Sequence, residues 1–568
     1  MARAFGTDHA SFDDVGVPGF YCIQNMAEYS KTHHSQSDTF DKVWRDDLNQ
    51  GAQVLAAWAY NTAQLPDMLP RRPITPRPPN RATQATPPPP PPDPVAEMDA
   101  KLIAQVKADQ PLLEANLSYL TDRIGPRLTG SPKLDQASHW TLDQFKALGL
   151  DAHLEPWTIA NGWTRGPAAG QVISPAEQVL TLASAGWSPS TNGPVRGQVV
   201  GIGVKRLDDL KQYAGKLKGV IVLLDRPGET EGPSNPMVTP YGESNLPLNH
   251  PKNMLLQDHR GRTRLLQDEV RFLKDEGAAA ILIASEKWFG MMNMGTGMSR
   301  QYQPAPLPNA YISRESATLL WRLLDAGPVE AEVNIQGTLT GTVTVYNTVA
   351  EIKGTEKPDE VVIIGGHLDS WDLGTGATDN GSGSMAVLAA ARALVKSGVK
   401  PKRTIRFVLF TGEEQGLNGS RAYVAAHKEE MNKISGVLVH DTGTGKVLTI
   451  GLMHNYGLRE TMGRVLYPLA TDKSIALADP SLRSEGGSDH VPFDNEGVPA
   501  SWCIQEVANY EKDHHSQNDT LDRIRWDDLA EGAQVLAVYA YNVAQLPEML
   551  PRKPAKPATP ETDNVAQR

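Results

Sequence analysis

Val361-Val362-Ile363-Ile364-Gly365-Gly366-His367-Leu368-Asp369 decides how this chain is read. Four apolar, β-branched residues have the length of a buried strand, and the run ends on glycines, a histidine and an aspartate. The same pattern returns downstream. Thr404–Phe410 runs into Gly412-Glu413-Glu414, and Gly436–Val439 runs into His440-Asp441. Between these runs, Ser384–Lys396 and Ser420–Met431 carry helical periodicity. Such alternation predicts an α/β fold with a central sheet flanked by helices. Residues just beyond the strands then collect at the carboxyl edge of the sheet, where open α/β folds build their sites.

The residues predicted to meet there are ligands for hard or borderline metals, and zinc accepts each of them without cysteine. Asp379, in Asp379-Asn380-Gly381, has two oxygens and can bridge two metals roughly 3.5–4 Å apart. His367 and Asp441 complete one ion. Glu414 completes the other with a histidine from His514-His515-Ser516, and spacing alone allows either His514 or His515. A water between the ions loses its proton near pH 7, roughly, and Glu413 is the natural general base. Asp369, two residues past His367, is expected to accept the other ring N–H of that histidine. Asp519 is expected to do the same for the ligand histidine at 515. Asn380 and Ser382 suit capping of the next helix. Singly, each acid or histidine would read as a surface ion-pair partner; together at strand ends they argue for a site. Ser488-Asp489-His490 suggests a serine nucleophile, but three sequential residues are poor geometry for a triad, so a loop shaping the pocket is the better reading.

Composition narrows the class. The chain has 568 residues, a net charge of −11 and a pI near 5.7. Two or more domains are expected at this length. The acidity disfavours a nucleic-acid partner. No apolar run approaches the roughly 18 residues of a membrane span. The two cysteines, Cys22 and Cys503, hold matching positions in a repeat, so a disulfide framework is not expected. The first residues, Met1-Ala2-Arg3-Ala4-Phe5-Gly6, show no signal peptide.

The repeat joins the two ends of the chain. Gly6-Thr7-Asp8-His9 aligns with Gly487-Ser488-Asp489-His490, and His33-His34-Ser35-Gln36 with His514-His515-Ser516-Gln517. Residues 1–70 thus read as a partial copy of the C-terminal segment that opens in mid-motif, as the tail of a related protein joined to the front of this one. Residues 71–94, with the run Pro87–Pro92, read as a stiff linker. From residue 95 helices are expected over Met98–Asp122 and Leu142–Leu148, and a strand over Ala152–Trp157. Residues 171–340 change character, with short strands at Gln198–Gly201, Gly219–Leu224 and Ala280–Ile283. His250 and His259 stand alone there and suggest no ligand role.

Several segments carry a family likeness. They are Gly365–Asp372, Pro401–Arg406, Glu413-Glu414-Gln415-Gly416, His514-His515-Ser516 and Ile124–Ser131. In these the chain resembles the zinc exopeptidases with two co-catalytic metals, and looks most like the carboxypeptidase Q group and its bacterial relatives. The likeness spans about residues 96–555. It implies a catalytic α/β domain in two parts, 95–170 and 341–555, around a β-rich protease-associated domain at 171–340, with 556–568 a disordered tail. It implies two zinc ions on His367, Asp379, Glu414, Asp441 and His515, and Glu413 as base. It also implies short peptide substrates with a free amino terminus, a secreted or periplasmic location, and a homodimer in some members. One departure is His490: Gly487-Ser488-Asp489-His490 looks more like the secreted leucyl-type aminopeptidases, so dipeptides and longer peptides both stay open.

The expected activity is zinc-dependent removal of the N-terminal residue from dipeptides or short peptides. The alternative is a non-catalytic, receptor-like binding protein on the same fold, which should have lost ligands or base; all six residues are present here. A one-zinc acyl-transfer or cyclising enzyme is a further rival, and it tolerates loss of second-metal ligands. Deleting residues 1–94 is expected to leave peptide hydrolysis unchanged or raised; a collapse of turnover in the shortened chain would give the first copy a role.

Overall fold

The computed structural model describes residues 17–18, 45–69, 94–202, 207–224, 226, 268–285, 287, 289–299, 302–507 and 510–553. His9, His34 and Cys22 of the first copy lie outside these residues, as do residues 71–93 of the linker segment, His250, His259 and the tail 556–568. The chain forms two compact units, Met1–Pro91 and Pro92–Arg568. In the first unit Arg45–Ala63 is a helix whose Leu48, Val54, Leu55 and Trp58 are exposed.

The second unit is built on a mixed sheet of 13 strands flanked by helices. Its early helices are α1 (Pro94–Ala108), α2 (Gln110–Ser118) and α3 (Pro132–Ala147). The expected single helix over Met98–Asp122 is broken at Asp109. Pro111, in the first turn of α2, has no N–H to continue the ladder of α1. Ser131 caps α3 by accepting the Leu134 N–H, with Pro132 in the first turn.

Strands β1 (Asp151–Ser174), β2 (Gln178–Leu180), β3 (Leu182–Ser184), β4 (Val195–Ile202), β5 (Ile221–Leu224), β6 (Ala280–Ala284) and β7 (Asn309–Ile312) follow. Next come α4 (Arg314–Ala326), β8 (Glu330–Ile352) and β9 (Lys357–His367). The rest comprises α5 (Ser382–Lys396), β10 (Arg403–Phe410), α6 (Asn418–Ala426), β11 (Ile434–Val439), β12 (Val447–Gly451), β13 (Ala500–Gln505) and α7 (Trp526–Gln545).

Four parallel strands, ordered β13-β11-β9-β10, form the centre, with β12 antiparallel at one edge and β8 antiparallel at the other. Both faces are covered, which explains why the central runs are apolar throughout rather than alternating. Val362 and Ile364 face one cluster with α5 and α7; Val361 and Ile363 face another with Tyr423, Val424 and Phe493. Neighbouring β9 residues therefore serve opposite layers, as the two-residue period of a strand requires.

Strands β1 and β8 depart most from expectation. A short strand was expected at Ala152–Trp157, yet β1 runs for 24 residues, paired with β8 from Asp151↔Glu351 to Ser174↔Glu330. Glycines, prolines and threonines interrupt any apolar signal in this ribbon, and its register shifts at Ile159/Gly162 and Arg165/Ala168. Near the central sheet β8 pairs with β10; at its far end it pairs with β4. There β4-β5-β6-β7-β3 make the second half of the sheet, and the expected boundaries at 170/171 and 340/341 fall inside the ribbon strands.

The helix expected over Ser420–Met431 ends at Ala426. His427, which follows it, stacks on Tyr423 at 4.3 Å and reaches both Glu155 oxygens of β1 at 3.0 Å. Its other nitrogen lies 3.4 Å from Glu430. The bond to Glu155 raises the His427 pKa above its ordinary value despite burial. A histidine raised in this way stabilises the fold fully below its unfolded value of about 6.5, and the gain fades as pH rises through the folded value. His427→Phe keeps the stacked ring and removes the ion pair. It is expected to cost about 1 kcal/mol at pH 6 and less at pH 9, measured by urea unfolding at both; an equal loss at both would contradict the pairing.

Candidate active site

Three parallel strand ends set the site. His367 closes β9, Glu413 and Glu414 follow β10 within four residues, and Asp441 follows β11 by two. The order β11-β9-β10 puts His367 between Asp441 and the glutamate pair. Asp379 comes from the turn Ala377–Gly381 ahead of α5. His514 and His515 come from the loop after Tyr510–Asp513.

Distances bring all of these together. His367 Nε2 lies 2.9 Å from Asp441 Oδ1, 3.2 Å from Asp379 Oδ1 and 3.9 Å from Glu413 Oε2. His515 Nε2 lies 2.8 Å from Glu414 Oε2 and 3.4 Å from Asp379 Oδ2. His514 Nε2 is 3.6 Å from the same Asp379 oxygen, and the two histidine rings stack at 3.7 Å. Two ligand groups result, His367–Asp379–Asp441 and Asp379–His514–His515, each with its donor atoms within 4.8 Å of one another. Asp379 belongs to both. His514 thus lies nearly as close to Asp379 as His515, the histidine the resemblance implies.

The donor chemistry fits divalent cations. Imidazole nitrogens and carboxylate oxygens converge, and Asp379 Oδ2 and Glu414 Oε2 are buried without a hydrogen-bond partner among the described residues. Burial pushes Glu413 and Glu414 well above the ordinary carboxylate value, with neighbouring acids adding to it. Burial also acts to raise Asp379, but His367, His514 and His515 hold it well below its usual value. Burial alone would lower His367; Asp441 and Glu413 lead the carboxylates that raise it instead.

Two expected supporting contacts are built differently. The Nδ1 of His367 meets the backbone carbonyl of Asp369 at 3.0 Å, while the Asp369 carboxylate stands 3.6 Å away. That carboxylate instead accepts from Thr129 Oγ1 at 2.8 Å and from the Glu413 and Glu414 N–H groups at 3.3 and 3.4 Å. Asp369 thus orients the turn bearing both glutamates. Asp519 was expected on His515, yet it accepts from Thr378 N, Thr378 Oγ1 and Asp379 N at 2.6, 2.8 and 3.1 Å. A tight turn leaves those N–H groups without backbone partners, and a carboxylate satisfies them. The cap position of α5 is Gly381; Asn380 Oδ1, one residue ahead of it, accepts the Gly383 N–H at 2.8 Å, whereas Ser382 Oγ donates to Thr378 O at 2.9 Å. Gly412 sits at φ +73° against the Trp157 ring, where a Cβ would come within 2.5 Å; a glycine is required to turn β10 into Glu413.

Sequence reasoning gave Arg127 no role. Its guanidinium is fully buried and donates to the carbonyls of Leu368, Thr375, Gly376 and Gly125 at 2.7–3.2 Å. It clamps the loop between His367 and Asp379. The available signal was a charged residue between the apolar Ile124-Gly125-Pro126 and Leu128. Also unread was the support from the 171–340 segment. Lys287 Nζ donates to His514 O at 2.6 Å, Met294 N to His515 O at 2.8 Å, and Met292 N to Gln517 Oε1 at 2.9 Å. Ser488 and His490 line the cavity, as expected of a pocket loop. Ser488 Oγ has no hydrogen-bond partner among the described residues, and His490 Nε2 lies 3.1 Å from Glu485 O, so no serine triad is assembled. The cavity is about 550 Å³.

Residues 347–540 match the family model of Peptidase family M28. Carboxypeptidase Q of Bos taurus is 30% identical over 445 residues, 77% of this chain and 86% of its own length. The chain belongs to peptidase family M28. Carboxypeptidase Q of Homo sapiens matches at the same 30% identity and coverage. The crystal structure of a Peptidase M28 precursor from Shewanella amazonensis SB2B superposes with a TM-score of 0.66 at 29% identity, over 81% of this chain and 99% of that one. An aminopeptidase from Aneurinibacillus sp. strain AM-1 shares the fold, with a TM-score of 0.56 at 24% identity over 81% and 98% of the two chains. This M28 chain is a peptidase by family, and no helix among its described residues is long and apolar enough to cross a membrane.

Cation-free M28 chain is expected to release protons when it takes up a divalent cation at pH 7, because the glutamate pair is held above its ordinary range and a nearby cation brings it down. Calorimetry in buffers of different ionisation enthalpy reads that release; a binding enthalpy independent of buffer would remove the two glutamates from the titrating set.

Proposed function

We propose that the chain is a zinc-dependent exopeptidase that hydrolyses the N-terminal peptide bond of dipeptides or short peptides. The observation that carries the reading is Asp379 shared by two ligand groups, with Glu413 3.9 Å from His367 on one side of them. His367, Asp379 and Asp441 would hold one zinc ion; Asp379 and Glu414 would hold a second with His515. When bound, zinc supplies Lewis acidity, polarising the scissile carbonyl and bringing the pKa of a water to about 7.

The protein's own residues do the rest. Glu413, free of the second ligand group, takes the proton of the attacking water and delivers it to the leaving amine. Its raised affinity for a proton suits a base that must hold one between two steps. Asp369 fixes the backbone of the glutamate turn through two N–H bonds. Glu485 also lines the cavity and adds negative charge that would attract a free amino terminus. The segment 171–340 is read, within this proposal, as a protease-associated domain; its β-rich build between β1 and β8 supports that.

The test is hydrolysis of an unblocked dipeptide against its N-acetylated twin, with zinc supplied. Cleavage of the free form alone is expected. Cleavage of both would favour a carboxypeptidase or a broader hydrolase, and cleavage of neither a binding protein. Glu413→Gln is expected to lower kcat by at least about 100-fold while zinc binding persists. Turnover close to that of the unaltered chain would remove Glu413 from the mechanism.

A further inference from the structure

The charge on the cavity wall is mostly negative. Asp379, Glu413, Glu414, Asp441 and Glu485 all line it, and Arg421 is the single Lys or Arg among the described lining residues. Arg421 lies in the first turn of α6, seven residues past Glu414, on the helix that the glutamate loop enters. Its Nε donates to Gly416 O at 3.1 Å, which fixes the base of the guanidinium to that same loop. No carboxylate pairs with it among the described residues, although several line the same cavity. A guanidinium carries five N–H donors in a planar fork. One is used here, which leaves the outer edge of the fork for a ligand.

We propose that Arg421 is a specificity-determining residue that binds a carboxylate on the leaving fragment of the substrate. This rests on the exopeptidase reading above. Glu485, the lining acid outside the proposed zinc and base set, attracts the cationic amino end, and Arg421 takes the opposite charge on the leaving fragment. Leu417, Trp502 and Val507 supply apolar wall. A planar fork matches a carboxylate in two parallel hydrogen bonds, and such pairs discriminate strongly against a neutral replacement. The carboxylate has two sources: the α-carboxylate of a dipeptide, or an acidic side chain next to the scissile bond.

The experiment measures kcat/KM of the full chain, with zinc, on leucyl-alanine, leucyl-alanine amide and leucyl-aspartate amide. A preference of about 30-fold for a carboxylate-bearing substrate over leucyl-alanine amide is expected, most of it in KM. Preference for leucyl-alanine names the α-carboxylate as the source, and preference for leucyl-aspartate amide names the side chain. In Arg421→Gln the ratio is expected to collapse to about one, and Arg421→Lys should recover part of it, since an ammonium keeps the charge without the fork. Equal rates on all three substrates in the unaltered chain would overturn the proposal, with no variant needed. So would a preference that survives Arg421→Gln. Hydrolysis of none of the three would remove the exopeptidase reading and this proposal with it, whereas brisk, even-handed hydrolysis would remove Arg421 alone.

Discussion

Carboxylates that must share one buried space dominate this protein. Asp369, Asp379, Glu413, Glu414, Asp441, Asp489 and Asp519 gather at the carboxyl end of the central sheet, buried or half-buried. Like charges so placed cannot all ionise in a low-dielectric interior without compensation. The fold supplies part of it. Arg127 sits among them with its guanidinium on four carbonyls, pulled down to about 10 by burial and supported by Asp519, Asp369, Glu414 and Asp379. Backbone N–H groups hold Asp369 and Asp519, whose roles are to set turns. What is left over is one buried oxygen each on Asp379 and Glu414, without a hydrogen bond among the described residues and facing the histidines of the ligand groups. Burial raises Asp489 and Asp519 to about 7, so the cost of crowding is spread over the whole cluster.

The same constraint explains the reach of the 171–340 segment. The His514–His515 loop follows the short helix Tyr510–Asp513 that comes after β13. Hydrogen bonds from Lys287, Met292 and Met294 hold it, while Tyr302 OH meets Gln415 at 3.3 Å beside the glutamate pair. The 171–340 segment thus reaches the His514–His515 loop and the glutamate loop. The β1–β8 ribbon sets its distance, being continuous from the central sheet to the far strands.

Legibility followed burial on both faces. The central strands β9, β10 and β11 could be read because each face packs on helices, so the runs are apolar without interruption. Their ends then placed His367, Glu413, Glu414 and Asp441 on one edge. The ribbon could not be read, because its stability comes from pairing over its length rather than from an apolar pattern. Asp369 and Asp519 were recognised as supporting residues, yet their partners were not. A carboxylate two or four residues from a histidine has several N–H groups in range, and only the folded turns decide which stand unsatisfied.

The repeated tail separates the two kinds of information. Arg45–Ala63 and Trp526–Gln545 descend from nearly the same residues, and both are helices, so helix formation is local. Leu55 and Trp58 of the first are exposed, whereas Leu536 and Tyr539, at the matching positions of the second, are fully buried. The sequence alone determined the helix, the ligand type that follows each central strand and the chemistry those ligands permit. Tertiary structure decided which helix found a sheet to cover, which histidines came within reach of Asp379, and which way Arg421 was left facing. Helices and strands arise from neighbours along the chain, while burial and convergence depend on residues hundreds of positions apart.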